Sequence, residues 1–132
     1  FIAWGDNNRS AMVRTPYGRI EVRIGDSAMN PYLATAAIIA AGLDGIDRDL
    51  TPPDACSLNF YDLSPQAIAD MGVSCLPENL DAALDALEAD AFFKDALGER
   101  LINSYLNLKR SEWKEYHRTV SEWEVNRYLT FY

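Results

Sequence analysis

The first twenty-five residues carry four arginines, Arg9, Arg14, Arg19 and Arg23, against only two carboxylates, Asp6 and Glu21. No lysine occurs in this segment, although lysines appear later. Arginine presents a planar fork of donors that matches carboxylate and phosphate oxygens, so the exclusive choice points to anion binding. Arg19-Ile20-Glu21-Val22-Arg23-Ile24 alternates charged and apolar residues without a break, which is the period of a half-buried strand. Arg19, Glu21 and Arg23 then share one face, spaced about 6.5–7 Å apart along the strand. A carboxylate between two guanidinium groups stays ionised and could bind a divalent metal from one side, while the arginines grip the accompanying anions. With Arg9 and Arg14 nearby, the segment reads as a cradle for a polyphosphate and a carboxylate. The same periodicity also fits a solvated salt-bridge ladder on an exposed strand, whose pairs are individually weak.

The elements that must position these residues are legible in outline. Residues 1–4 and 11–15 fit short strands on either side of the polar stretch Gly5-Asp6-Asn7-Asn8-Arg9, and Pro16-Tyr17-Gly18 is a turn before the alternating strand. Asn30-Pro31 supplies a helix cap and first turn. Residues Tyr32 to Leu43 are apolar nearly all round, which predicts a buried helix ending near Gly42 and Gly45. Residues 46–63 read as a loop, and Ser64 to Met71 as a short helix. Glu78 to Asp90 is amphipathic, with Leu80, Ala83, Leu84 and Leu87 on one stripe. Gly98 separates a shorter helical piece from a long helix over Glu99 to His117, with Ile102, Tyr105, Leu106, Lys109, Trp113 and Tyr116 along one face. Ser121-Glu122-Trp123-Glu124 is a capping-box pattern for a last helix. Strands first and helices after predict an α+β fold, with antiparallel strands followed by a helical C-terminal region.

Composition narrows the function. The chain has 132 residues, 48% hydrophobic and 24% charged, with a net charge of −8. That balance fits one soluble globular domain and argues against nucleic acid or an anionic membrane as a general partner. No apolar run reaches the roughly 18–20 residues needed to cross a bilayer. Cys56 and Cys75 form no zinc pattern with the lone His117, and two thiols in an acidic chain fit a reducing cytoplasm. His117 reads as a surface or packing residue.

Four ordered stretches resemble the glutamine synthetase catalytic domain: Asn8-Arg9-Ser10-Ala11-Met12-Val13-Arg14-Thr15-Pro16, Arg19-Ile20-Glu21-Val22-Arg23, Asn30-Pro31-Tyr32-Leu33 and Ala40-Ala41-Gly42-Leu43-Asp44-Gly45-Ile46. Asn59-Phe60-Tyr61-Asp62-Leu63, Leu76-Pro77 and Leu80 to Asp90 also fit, so the resemblance spans essentially residues 1–132. It implies an ATP-dependent glutamate–ammonia or glutamate–amine ligase acting through a γ-glutamyl phosphate, with Mg2+ or Mn2+. By the resemblance, Arg9 and Arg23 bind the substrate glutamate, Arg14 and Arg19 contact ATP phosphates, and Glu21 is a metal ligand. It also implies a cytoplasmic homo-oligomer built as rings. On this expectation the chain is the C-terminal portion of the catalytic domain. The N-terminal domain and upstream catalytic half lie outside it, and the portion alone is inactive.

The short turn between Pro16 and Arg19 resembles the type III or γ-glutamylmethylamide synthetase branch, leaving the acceptor amine open. Tyr61 matches the tyrosine that is adenylylated in some bacterial members, although an ordinary loop tyrosine is the simpler reading and Phe60 departs from the usual leucine. Two alternatives compete: a non-catalytic glutamine-synthetase-like binding or structural module, and an unrelated acidic α+β domain with a salt-bridge strand. The joint presence of Arg9, Arg14, Arg19, Glu21 and Arg23 argues against a decayed site, and four ordered motifs argue against coincidence.

Overall fold

In the computed structural model, which describes residues 1–129 and 131, the chain divides into two compact units, Phe1–Leu76 and Pro77–Tyr132. The first holds a three-stranded sheet of β1 (Trp4–Gly5), β2 (Val13–Arg14) and β3 (Glu21–Val22), in that spatial order. The expected strands are present but shorter, because only two residues of each form the ladder. The sheet is also mixed, which corrects the antiparallel expectation: β1 and β2 run parallel, and only β2 and β3 are antiparallel. The polar Asp6–Met12 stretch does not make a hairpin. It doubles back past the start of the chain, so that the Met12 N–H donates to the Phe1 carbonyl (3.0 Å), Val13 to Ala3 (3.1 Å) and Thr15 to Gly5 (3.2 Å). The β2–β3 connection is the tight turn read from the sequence. It is closed by the Arg19 N–H on the Pro16 carbonyl (3.1 Å), with Gly18 at φ 79°, a conformation that glycine adopts without steric cost.

Helix α1 (Pro31–Asp47) starts as predicted, with the Asn30 side chain accepting from the Tyr32 and Leu33 N–H groups. It departs from expectation twice. It runs through Gly42 and Gly45, because an isolated glycine costs only about 1 kcal/mol in a helix otherwise rich in alanine and aliphatic residues. It also has no buried residue within its unit: Tyr32, Ile38, Ile39, Leu43 and Ile46 are all exposed. The unit's small core is instead Ala11, Phe60 and Ile68, with Phe1, Ala3, Cys56, Leu63 and Val73 packed around it. Phe60 opens a 3-10 turn (Phe60–Asp62) capped by Asn59, inside the stretch read as loop, and Ile68 lies on α2 (Pro65–Asp70), capped by Ser64.

The second unit consists of α3 (Leu80–Ala89), α4 (Ala91–Leu97), α5 (Glu99–Arg118) and α6 (Glu122–Tyr128). The predicted stripes meet in its core of Leu84, Ile102 and Leu106, flanked by Leu80, Leu87, Phe93, Leu97 and Tyr105. Arg110 on α5 reaches Asp81, Asp85 and Glu88 on α3 at 3.2, 2.7 and 2.6 Å. Ser121 and Glu124 form the capping box of α6. His117 stands edge-on to Trp113 at 4.2 Å, a packing role as expected. Among the described residues no helix is long and apolar enough to cross a membrane.

Candidate functional site

The β2–β3 pairing places Arg14 directly opposite Glu21. Across this pair the Arg14 Nη2 donates to Glu21 Oε2 at 2.6 Å, while the Arg23 Nη1, just past the end of β3, donates to Oε1 at 2.9 Å. The Arg19 guanidinium stands 4.0 Å from Oε2. Thus one carboxylate is bracketed by three guanidinium groups, and the group carries surplus positive charge. Hydrogen bonds from Arg14 and then Arg23 hold the Glu21 carboxyl below its usual range, against the opposing effect of partial burial. Glu21 is therefore ionised at neutral pH and able to donate oxygen to a cation.

The arginines differ in setting. Arg14 is nearly enclosed, its side chain 11% exposed, whereas Arg19 is 64% exposed. The other terminal nitrogen of Arg14 donates to Asn7 Oδ1 (3.2 Å), yet its buried Nε finds no hydrogen-bond partner on the protein. An orphaned donor on a nearly buried cation is costly unless an anion's oxygen meets it. Beside Arg14, residues Asp6, Asn7, Thr15, Pro16 and Tyr17 line an open groove. Among the described residues no group of three or more His, Cys, Asp or Glu side chains could hold a metal. Glu21 fits a divalent cation as one oxygen ligand only.

Four of the predicted residues are thus brought together: Arg14, Arg19, Glu21 and Arg23. Arg9 stands outside the ion-paired group, exposed on the loop between β1 and β2, and has no ion pair among the described residues. Tyr61 is also outside it, 78% exposed on the 3-10 turn, its ring edge-on to Phe1 at 5.9 Å. The sequence reading gave no role to Asn8 and Ser10, although both are buried polar residues. The available signal was local: Asn two residues before Ser in a turn-rich stretch is the pattern of a side-chain-closed turn.

The family model for the glutamine synthetase catalytic domain matches residues 1–128. The chain belongs to this family. Over 132 residues it is 48% identical to the glutamate–methylamine ligase of Methyloversatilis universalis, covering 100% of this chain and 30% of that protein. To the glutamine synthetase of Methanocaldococcus jannaschii it is 41% identical over 135 residues, covering 98% of this chain and 30% of that protein. A solved structure described as apo GmaS without ligand superposes with a TM-score of 0.78 at 39% identity, covering 98% of this chain and 30% of that one. The chain thus spans about 30% of the length of these glutamine synthetase relatives.

Proposed function

We propose that residues 1–132 are the C-terminal portion of the catalytic domain of an ATP-dependent glutamate–amine ligase, supplying it with phosphate-, glutamate- and metal-binding side chains. The observation that carries this reading is the ionised Glu21 bracketed by Arg14, Arg19 and Arg23 in a chain of this family. In the proposed reaction ATP phosphorylates the γ-carboxylate of glutamate, and ammonia or a small amine displaces phosphate from the γ-glutamyl phosphate. Arg14 and Arg19 hold the ATP phosphates, and the partnerless Nε of Arg14 is a donor suited to a phosphate oxygen. Arg9 and Arg23 hold the glutamate, so that positive charge sits where phosphoryl charge spreads. Glu21 contributes one ligand to Mg2+ or Mn2+, and other residues complete the set. A cation bound there would neutralise phosphate charge.

The 48% identity to a glutamate–methylamine ligase favours methylamine as acceptor, with ammonia the alternative. We further propose a cytoplasmic, ring-forming homo-oligomer. Tyr61 is best read as an exposed turn residue. It becomes an adenylylation site if intact-mass analysis of protein from nitrogen-rich cells finds AMP on its peptide, and that reading fails if none is found.

The deciding experiment is ATP- and glutamate-dependent phosphate release by the full-length ligase, with methylamine and with ammonia. Glu21→Ala is expected to lower turnover by about 100-fold or more, the scale of losing a charge-stabilising group. Turnover that survives this substitution overturns the metal-ligand assignment. No turnover with either amine from folded wild-type protein favours a non-catalytic module.

A further inference from the structure

Arg9 is an exposed residue between two buried polar neighbours, Asn8 and Ser10, each 8% exposed. The Asn8 Oδ1 accepts from the Ser10 N–H at 2.9 Å, closing a side-chain turn with Arg9 at its centre. The same oxygen accepts from the Ser10 hydroxyl at 2.6 Å. The Asn8 amide nitrogen donates to the Cys56 carbonyl (3.0 Å) and the Leu58 carbonyl (2.8 Å), 48 and 50 residues further on. Ser10 Oγ in turn accepts from the Phe60 N–H at 3.0 Å. All four bonding positions of the asparagine amide are therefore used. Both neighbours of Arg9 are anchored to one stretch, residues 56–60, whose Phe60 is the most buried side chain of the first unit. On the other side Gly5 packs so closely on the Cys56 carbonyl that a Cβ there would collide with it, which holds that stretch against β1.

A long arginine loses substantial rotamer entropy when it grips a substrate, and a fixed backbone at its root limits what else must be ordered. We infer that Asn8 and Ser10 are positioning residues that aim the Arg9 guanidinium at the substrate carboxylate, by bolting its turn to residues 56–60. This rests on the reading of Arg9 as a glutamate-binding residue. The amide of Asn8 is the bolt, and the hydroxyl of Ser10 is the latch on Phe60.

The test uses the full-length ligase with Asn8→Ser, Ser10→Ala and Arg9→Ala, singly and with each positioning variant combined with Arg9→Ala. Asn8→Ser can still close a local turn but cannot reach the Cys56 and Leu58 carbonyls. It is expected to lower kcat/KM for glutamate about 10–100-fold, as small misplacements of a reacting or binding group do, while KM for ATP stays near wild type. In the Arg9→Ala background neither positioning variant should cause further loss, since both act through Arg9. Should Asn8→Ser fail to assemble, Ser10→Ala, which deletes one oxygen, carries the same cycle. Losses that add to Arg9→Ala, or that fall equally on ATP and glutamate, overturn the inference. Unimpaired Asn8→Ser and Ser10→Ala beside a damaged Arg9→Ala overturn it alone. An Arg9→Ala ligase with normal glutamate use overturns the reading of Arg9 and the inference with it.

Discussion

Each of the two units is stabilised internally by a different kind of interaction. In the helical unit, apolar side chains at helical spacing on α3 and α5 meet as Leu84, Ile102 and Leu106. In the strand-bearing unit the core, Ala11, Phe60 and Ile68, is equally small, but the strands are two residues long and polar side chains complete the structure. Asn8 and Ser10 there do what a longer sheet would otherwise do, fixing backbone to backbone across about fifty positions of sequence. The charged groups differ likewise. Glu21 sits among three guanidinium groups, which leaves surplus positive charge, whereas Arg110 sits among three carboxylates, which leaves surplus negative charge. The first arrangement suits a ligand; the second clamps two helices. A region fixed by a few long-range side-chain-to-backbone hydrogen bonds is sensitive to single substitutions, and that is where the chemistry is proposed.

The sharpest challenge to this contrast is a pair of core truncations. Phe60→Ala is expected to cost about 3–5 kcal/mol and Leu84→Ala about 2–5 kcal/mol, measured as shifts in urea or thermal unfolding of the ligase. Phe60→Ala also removes a ring that packs tilted against Phe1 at 4.9 Å and sits beside the latch on Ser10, so it should damage glutamate use beyond its effect on stability. Leu84→Ala should destabilise without changing KM for glutamate. Equal effects on substrate use would erase the distinction.

A smaller effect concerns acid. The folded-state pKa of Glu21 lies below its ordinary value of 4.5, through its hydrogen bonds from Arg14 and Arg23. Its contribution to stability is therefore fully present above 4.5 and is lost as pH falls through the depressed value. Unfolding curves across that window should show wild type losing more stability than Glu21→Gln; parallel losses would mean that the bracket does not depress the pKa. The smallest effect belongs to Arg110→Ala. Its partners are 47%, 67% and 57% exposed, so the destabilisation should be slight and should shrink as salt is added. A large, salt-insensitive loss would show that the clamp acts through packing of the Arg110 stem instead.

Much of the helical unit was legible because its information is local. Leu80, Leu84 and Leu87 of the expected stripe (its fourth member, Ala83, is exposed), the capping box at Ser121 and the long helix from Glu99 follow from residues within a few turns of one another. Tyr116, placed on the same face as Ile102, is nonetheless 70% exposed, since helical spacing does not say how far along a helix its neighbour extends. The face of α1 was misread for a similar reason: an all-round apolar pattern predicts burial but does not name what does the burying.

By itself the sequence determined that strands come first and helices after, the caps at Asn30 and Ser121, and a strand within the alternating stretch that holds Glu21. Only the tertiary structure decided that β1 and β2 run parallel, that Arg14 rather than Arg19 is the closest cation to Glu21, and that Asn8 spends its whole amide on residues 56–58 and Ser10. The physical reason is range. Caps, turns and helical stripes are satisfied by near neighbours, whereas a buried amide or guanidinium takes its partners wherever folding brings them, and for Asn8 those partners lie 48 and 50 residues away.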